Sequence, residues 1–143
     1  MSTEPQPEPV PAAAVAAAGQ LGIDLPALLE SFCDRVDLYE HVLKGVAREA
    51  VRLKPRIEDL QSQGEVEAAR RELHTFKGLC GTVGLAKLSQ LAAQAEKAVD
   101  GPPAGQTQQA LWQALAAAQP GLFTLLGVLA PLAREQAARC GGD

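Results

Sequence analysis

The stretch ELHTFKGLCGTVGL, residues 72–85, decides how this chain is read. Leu73, Phe76, Cys80 and Val83 recur at steps of three or four, the spacing of one helix face, and Val66 and Ala69 extend the stripe upstream. Yet Gly78, Gly81 and Gly84 fall inside or at the end of that helix. An interior glycine costs roughly 1 kcal/mol relative to alanine. Gly84 suits the C-terminal position, where a left-handed residue is common. Gly78 and Gly81 need another reason. On a wheel at about 100° per residue with Val66 at zero, the apolar stripe spans about 0° to −100°. His74 then lies at about 80°, Gly78 at about 120°, Gly81 at about 60° and Lys77 at about 20°. Arg70 and Arg71 fall at about 40° and about 140°. His74 is therefore directed away from the core, onto a face of basic side chains and glycines.

The rest of the chain predicts more helices. Ordered structure is expected from near Gly22, with a short first helix in GIDLPALLESFC: Asp24 can cap it and Pro26 fits its first turn. A long helix over 37–61 follows, carried by Leu38, Val42, Val46, Leu53, Ile57 and Leu60. Asp37 and Glu40 have capping-box spacing, and Pro55 predicts a kink or break. Ser62 and Glu65 repeat the capping-box spacing before a third helix over 65–82. Leu85, Leu88, Leu91, Ala92, Ala95 and Val99 mark a fourth over 85–99. DGPPAG is a loop, and a last helical region covers 107–138 with interruptions expected at Pro120 and Pro131. Short loops between amphipathic helices place neighbours antiparallel. The expected fold is all-α, an antiparallel up-down four-helix bundle with one additional short N-terminal helix. Its expected span is 21–139, after a flexible Pro/Ala-rich leader over 1–20, whose alanine run can form helix, and before a C-terminal tail over 140–143.

Composition agrees and excludes several functions. The 143 residues suffice for one core, and 47% hydrophobic with only 3% aromatic means an alanine- and leucine-rich chain that favours helix. A net charge of −4 lacks the broad basic footprint of a nucleic-acid binder. The basic run Lys44, Arg48, Arg52, Lys54 and Arg56 surrounds Glu49 and reads as a solvated helix surface. Cys33, Cys80 and Cys140 show neither disulfide-framework nor zinc spacing, so reduced thiols and a cytoplasmic location are expected. The longest apolar run, GLFTLLGVLAPLA, is 13 residues long, short of the roughly 20 needed to span a bilayer. Glu4 and Glu8 stand where a signal peptide would be basic. No membrane partner and no metal are expected, since the two histidines, His41 and His74, are far apart in sequence.

The histidine face suits nucleophilic chemistry. A solvent-facing imidazole is largely neutral at pH 7 and its nitrogen can attack phosphorus. Lys77, one turn on, could offset the charge of a phosphoryl group on the ring. Gly78 and Gly81 would leave the imidazole open to a partner. The bland alternatives are a surface histidine without a role, an ordinary exposed lysine, and close helix packing as the reason for Gly81.

LHTFKGLCGTVGL resembles the core motif of the histidine phosphotransfer (HPt) domain family, usually A-H-x-L-K-G-x-[AS]-x-x-[LIV]-G. His74, Lys77, Gly78 and Gly84 match it, and Phe76 and Val83 are conservative fits. Leu73, Cys80 and Leu85 depart from it while staying apolar or small. LAKLSQLAAQAEKAV is similar to the family's next helix, with Leu88, Leu91, Ala92 and Glu96 in familiar places, and GIDLPALLESFCDRVDLYEHVLKGVAREAV is similar to its opening helices. The resemblance covers about residues 20–135. It implies that His74 is phosphorylated on its outer ring nitrogen, that Lys77 stabilises the phosphoryl group and that Gly78 keeps the ring accessible. Arg70, Arg71, Gly78 and Gly81 would then form the docking face for receiver domains of response regulators or a hybrid histidine kinase. Family members shuttle phosphate between receiver aspartates and bind no cofactor of their own, magnesium belonging to the receiver. A monomer is expected because the bundle should bury its own core, and no autokinase activity is expected because no ATP-binding or phosphate-cradling motif is visible. The rival readings are a domain cut from a hybrid or chemotaxis-type kinase, and a non-catalytic helical adaptor that binds receivers.

Overall fold

Propensity and turn chemistry place the helices, and the computed structural model describes residues 10–100 and 104–140. The elements are α1 (Ala12–Gln20), α2 (Leu25–Glu30), α3 (Val36–Ser62), α4 (Val66–Thr82), α5 (Ala86–Lys97) and α6 (Ala104–Cys140). No strand occurs among the described residues. Helix α3 packs on α4 and α6, and α5 packs on the same two, so α3 to α6 close a ring around one core. Helices α1 and α2 lie outside it, α1 against α6. Two short N-terminal helices therefore replace the single one expected. Residues 1–9 of the leader, 101–103 of the proline loop and 141–143 of the tail lie outside the described residues.

Order begins earlier than the sequence suggested. Residues 12–20, expected in a flexible leader, form α1, and Ala14, Ala17 and Ala18 are buried. Alanine is the best helix former, so the run needs only a surface to lie on. That surface is α6: Leu21 packs over Gly121, where a Cβ would sit 2.8 Å from Leu21 Cδ2.

The ring's inner face follows the predicted stripes with one change of register. Ala69, Leu73, Phe76, Cys80 and Val83 of the α4 stripe are buried, and Leu88, Ala92, Ala95 and Val99 meet them from α5 and the turn after it. In α3 the first buried apolar positions are Tyr39 and Leu43 rather than Leu38 and Val42, and Leu38 is exposed. Tyr39 wins the inner site because its hydroxyl donates to the Val83 carbonyl at 2.8 Å, which satisfies the polar end of a buried ring. Phe32 packs against the same ring edge-on, with centroids 5.3 Å apart. Burial pushes the Cys80 thiol up to about 12, so it stays protonated and serves as packing.

Helix ends show where local signals lose to tertiary ones. The expected capping boxes do not form. Asp37 lies inside the first turn of α3, clamped by Arg35, and its backbone N–H donates to Gln136 Oε1 of α6 at 3.0 Å. Ser62 is the last residue of α3 and donates to the Asp59 carbonyl at 2.7 Å. Asp24 caps α2 as expected, accepting from the Ala27 N–H. Pro55, Pro120 and Pro131 all lie inside continuous helices. Pro55 and Val51, whose carbonyl it frees, are on the exposed side of α3, where water can satisfy that oxygen.

Helix α6 has 37 residues and is long and apolar enough to cross a membrane by length and composition. The sequence expectation counted only the uninterrupted apolar run, whereas the helix joins it to alanines on either side. Its inner face is core: Leu111, Trp112, Leu115, Leu122, Leu125 and Leu129 are buried.

Gly84 ends α4 and is demanded by the fold. Its φ is +88°, and a Cβ would lie 2.6 Å from Leu28 Cδ2. The Leu85 N–H reaches back to the Cys80 carbonyl at 2.8 Å, closing a Schellman turn. Gly84→Ala is expected to destabilise the chain by about 1–3 kcal/mol. A thermal melt followed by circular dichroism should fall by roughly 5 °C or more. An unchanged melting temperature would show that the turn can re-form without glycine.

Candidate functional site

The site forms where the solvent edge of α4 meets α5. Leu73 and Phe76 anchor α4 in the core, which turns His74, between them, outward with 64% of its side chain exposed. Ala92 and Ala95 anchor α5 in the same way and bring Glu96 to the seam beside it. His74 Nδ1 lies 3.0 Å from Glu96 Oε1. Lys77, one turn on from His74, places Nζ 3.4 Å from the other carboxylate oxygen. One carboxylate thus ties imidazole and ammonium together.

Its charge state fixes the ring's chemistry. Burial pushes the Glu96 carboxyl up, but hydrogen bonds from His74 and Lys77, with their charges, outweigh it and hold the group below its ordinary range. Glu96 is therefore ionised at neutral pH. An ionised carboxylate only accepts, so Nδ1 carries the proton and donates it. In the neutral ring Nε2 then keeps its in-plane lone pair, and it makes no hydrogen bond among the described residues. The result is an exposed imidazole held in one tautomer, with its nucleophilic nitrogen unpaired among the described residues.

The other candidates divide. Gly78 is exposed, and a Cβ there would meet nothing within 4 Å. Gly81 is exposed too, and its Cβ would touch only Ser89 Oγ at 3.7 Å, an ordinary contact. Close packing of α4 on α5 therefore does not require either glycine. Ser89 instead bonds across the seam to the Lys77 carbonyl at 3.0 Å. Arg70 sits beside this face, but its guanidinium is engaged by Glu67 and Asp100, each at 2.9 Å. Arg71 is exposed and makes no ion pair among the described residues. His41 lies on α3, in a groove with Arg48 and Leu79, and is not part of the His74 cluster.

Glu96 was given no role in the sequence reading. The local signal was one acidic residue next to the buried positions of a small-residue helix, and only the docking of α5 on α4 pairs it with a histidine 22 positions earlier. No group of three or more metal-ligating side chains occurs among the described residues.

Compared with known families, residues 27–129, more than half of the chain, match the family model described as Hpt domain. No curated protein and no solved structure matches.

Proposed function

The chain belongs to the Hpt domain family, whose role is histidine phosphotransfer in phosphorelays, and from that premise we propose that it relays a phosphoryl group between receiver aspartates through His74. The observation that carries this reading is the exposed imidazole whose Nδ1 is held by Glu96.

In the forward step a receiver's aspartyl phosphate approaches over Gly78. The Nε2 lone pair attacks phosphorus, the bond from phosphorus to the aspartyl oxygen breaks, and that carboxylate leaves with the electron pair. The proton on Nδ1 stays in place. The ring therefore becomes cationic as Nε2 bonds to phosphorus, and the Glu96 carboxylate stabilises that charge from 3.0 Å away. Lys77, one turn on and paired with the same Glu96 carboxylate, can offset the charge of the phosphoryl oxygens. Phosphoryl transfer depends mainly on positioning and electrostatics, so these three groups suffice if the receiver supplies the rest. Handing the group to a second aspartate reverses each step over the same geometry.

The direct test is transfer from a receiver domain phosphorylated on aspartate, followed by the chemistry of the product. Label in this chain should be acid-labile and alkali-stable, as expected of a phosphorus–nitrogen bond. Label in a hydroxyl or carboxyl ester would contradict the reading. Glu96 adds a graded test. Glu96→Gln keeps an acceptor for the Nδ1 proton but removes the charge, and transfer should slow about 10-fold. Glu96→Ala removes both and should slow it about 100-fold. Native single-turnover rates in both variants would remove Glu96 from the mechanism. The depressed carboxyl also sets a pH window. Its contribution to stability is complete above the unfolded value of about 4.3 and is lost as pH falls through the lower folded value. Glu96 should thus remain ionised in nuclear magnetic resonance titrations from neutral down to about pH 5.

A further inference from the structure

A second surface lies around α4 from the imidazole. Between α3 and α4 runs a groove lined by His41, Val42, Gly45, Arg48, Arg52 and Leu79. Its floor is apolar, since Val42 and Leu79 are half-buried and packed on the core. Its rim is basic. Arg48 is exposed and makes no ion pair among the described residues. Arg52 is 71% exposed, and its contact with Glu49, the acidic residue of the groove, is stretched to 3.9 Å. This basic strip stands out on a chain whose net charge is −4.

Gly45 points the same way. It sits inside α3, and a Cβ there would meet nothing within 4 Å, so internal packing does not call for a glycine. Gly78 is equally bare. Around α4, Leu79 is about 140° from His74, with Gly78 and Thr75 between them. A protein partner covers about 800 Å² on each side, a patch about 30 Å across, whereas a helix is about 10 Å wide. A partner that docks over α4 at His74 is therefore wide enough to reach the α3–α4 groove as well.

We propose that this groove selects the partner. It takes an acidic segment of the receiver, with carboxylates against Arg48 and Arg52 and one apolar side chain seated over Gly45 between Val42 and Leu79. The proposal rests on the phosphotransfer reading, and charge complementarity identifies the occupant. Contacts of this kind mainly govern encounter rate and specificity, and they weaken with salt.

The test uses the full chain and, from a panel of the source organism's receiver domains charged with acetyl phosphate, the one that transfers fastest. Reversing both charges, Arg48→Glu with Arg52→Glu, should lower the second-order transfer constant about 100-fold with little change in the rate at saturation. Raising salt from about 50 to about 500 mM should slow the native chain about 10-fold and the double variant much less. Gly45→Leu, which fills the groove without altering charge, should weaken binding of the uncharged receiver in calorimetry while keeping the native salt slope. An unchanged receiver affinity in both variants overturns the proposal. A shift of the double variant from dimer to monomer in sedimentation overturns it as well, by assigning the groove to a second copy of the chain. Phosphoramidate, a small donor that needs no docking, separates the two readings. If it fails to label His74 of the native chain, the phosphotransfer reading falls, whereas receiver affinity alone decides the groove.

Discussion

A His74→Gln chain is expected to take up no measurable phosphoryl group from a charged receiver, a loss of at least about a thousandfold. It should fold as the native chain does. The imidazole is 64% exposed, and the glutamine amide can still donate to Glu96, so the stability change should stay within about 0.5 kcal/mol. The pairing of intact fold and absent label is what matters. Histidine contributes a neutral nitrogen lone pair at neutral pH that an amide lacks, so the substitution removes the nucleophile and little else. Retained label would move the chemistry to another residue, with His41 the first to examine because it is the second histidine of the chain.

Gly78→Leu should separate stability from transfer in opposite directions. The residue lies one turn beyond His74, on the route of an incoming aspartyl phosphate, and open space surrounds the position where a Cβ would go. Leucine is a better helix former than glycine by about 0.8 kcal/mol, so the melting temperature should rise by a few degrees. The same side chain stands beside the imidazole and blocks close approach of the receiver, and transfer should fall about 100-fold or more. Gly78→Ala should give the same stabilisation with a smaller loss. Unimpaired transfer in the leucine variant would show that the receiver approaches from elsewhere. A falling melting temperature would show that the glycine serves the fold.

These two effects were legible in residues 72–85 because a helix stripe carries its own coordinates. Five buried residues at steps of three and four fix the inner face of α4, so the outward direction of His74 and Gly78 followed from counting. Gly84 was legible for the same local reason, as the residue that ends the stripe. What escaped depends on contacts distant in sequence. Glu96 meets His74 only after α5 docks. Arg70 looked like a free docking cation until Glu67 and Asp100 were seen to hold it. The start of α3 is served by Gln136, 99 residues away, which local capping patterns do not encode. Residues 12–20 have strong helix propensity but no apolar stripe of contrasting polarity. Their order comes from lying on α6.

The account turns on which nitrogen bonds to phosphorus. The chain has two histidines, so a sample labelled with nitrogen-15 in histidine gives four ring signals to follow before and after transfer from a charged receiver. One nitrogen of His74, Nε2, should become coupled to phosphorus-31, while its Nδ1 keeps a proton and both His41 nitrogens stay unchanged. Coupling at Nδ1 of His74, coupling at His41, or phosphate carried by the chain with neither ring affected would contradict it.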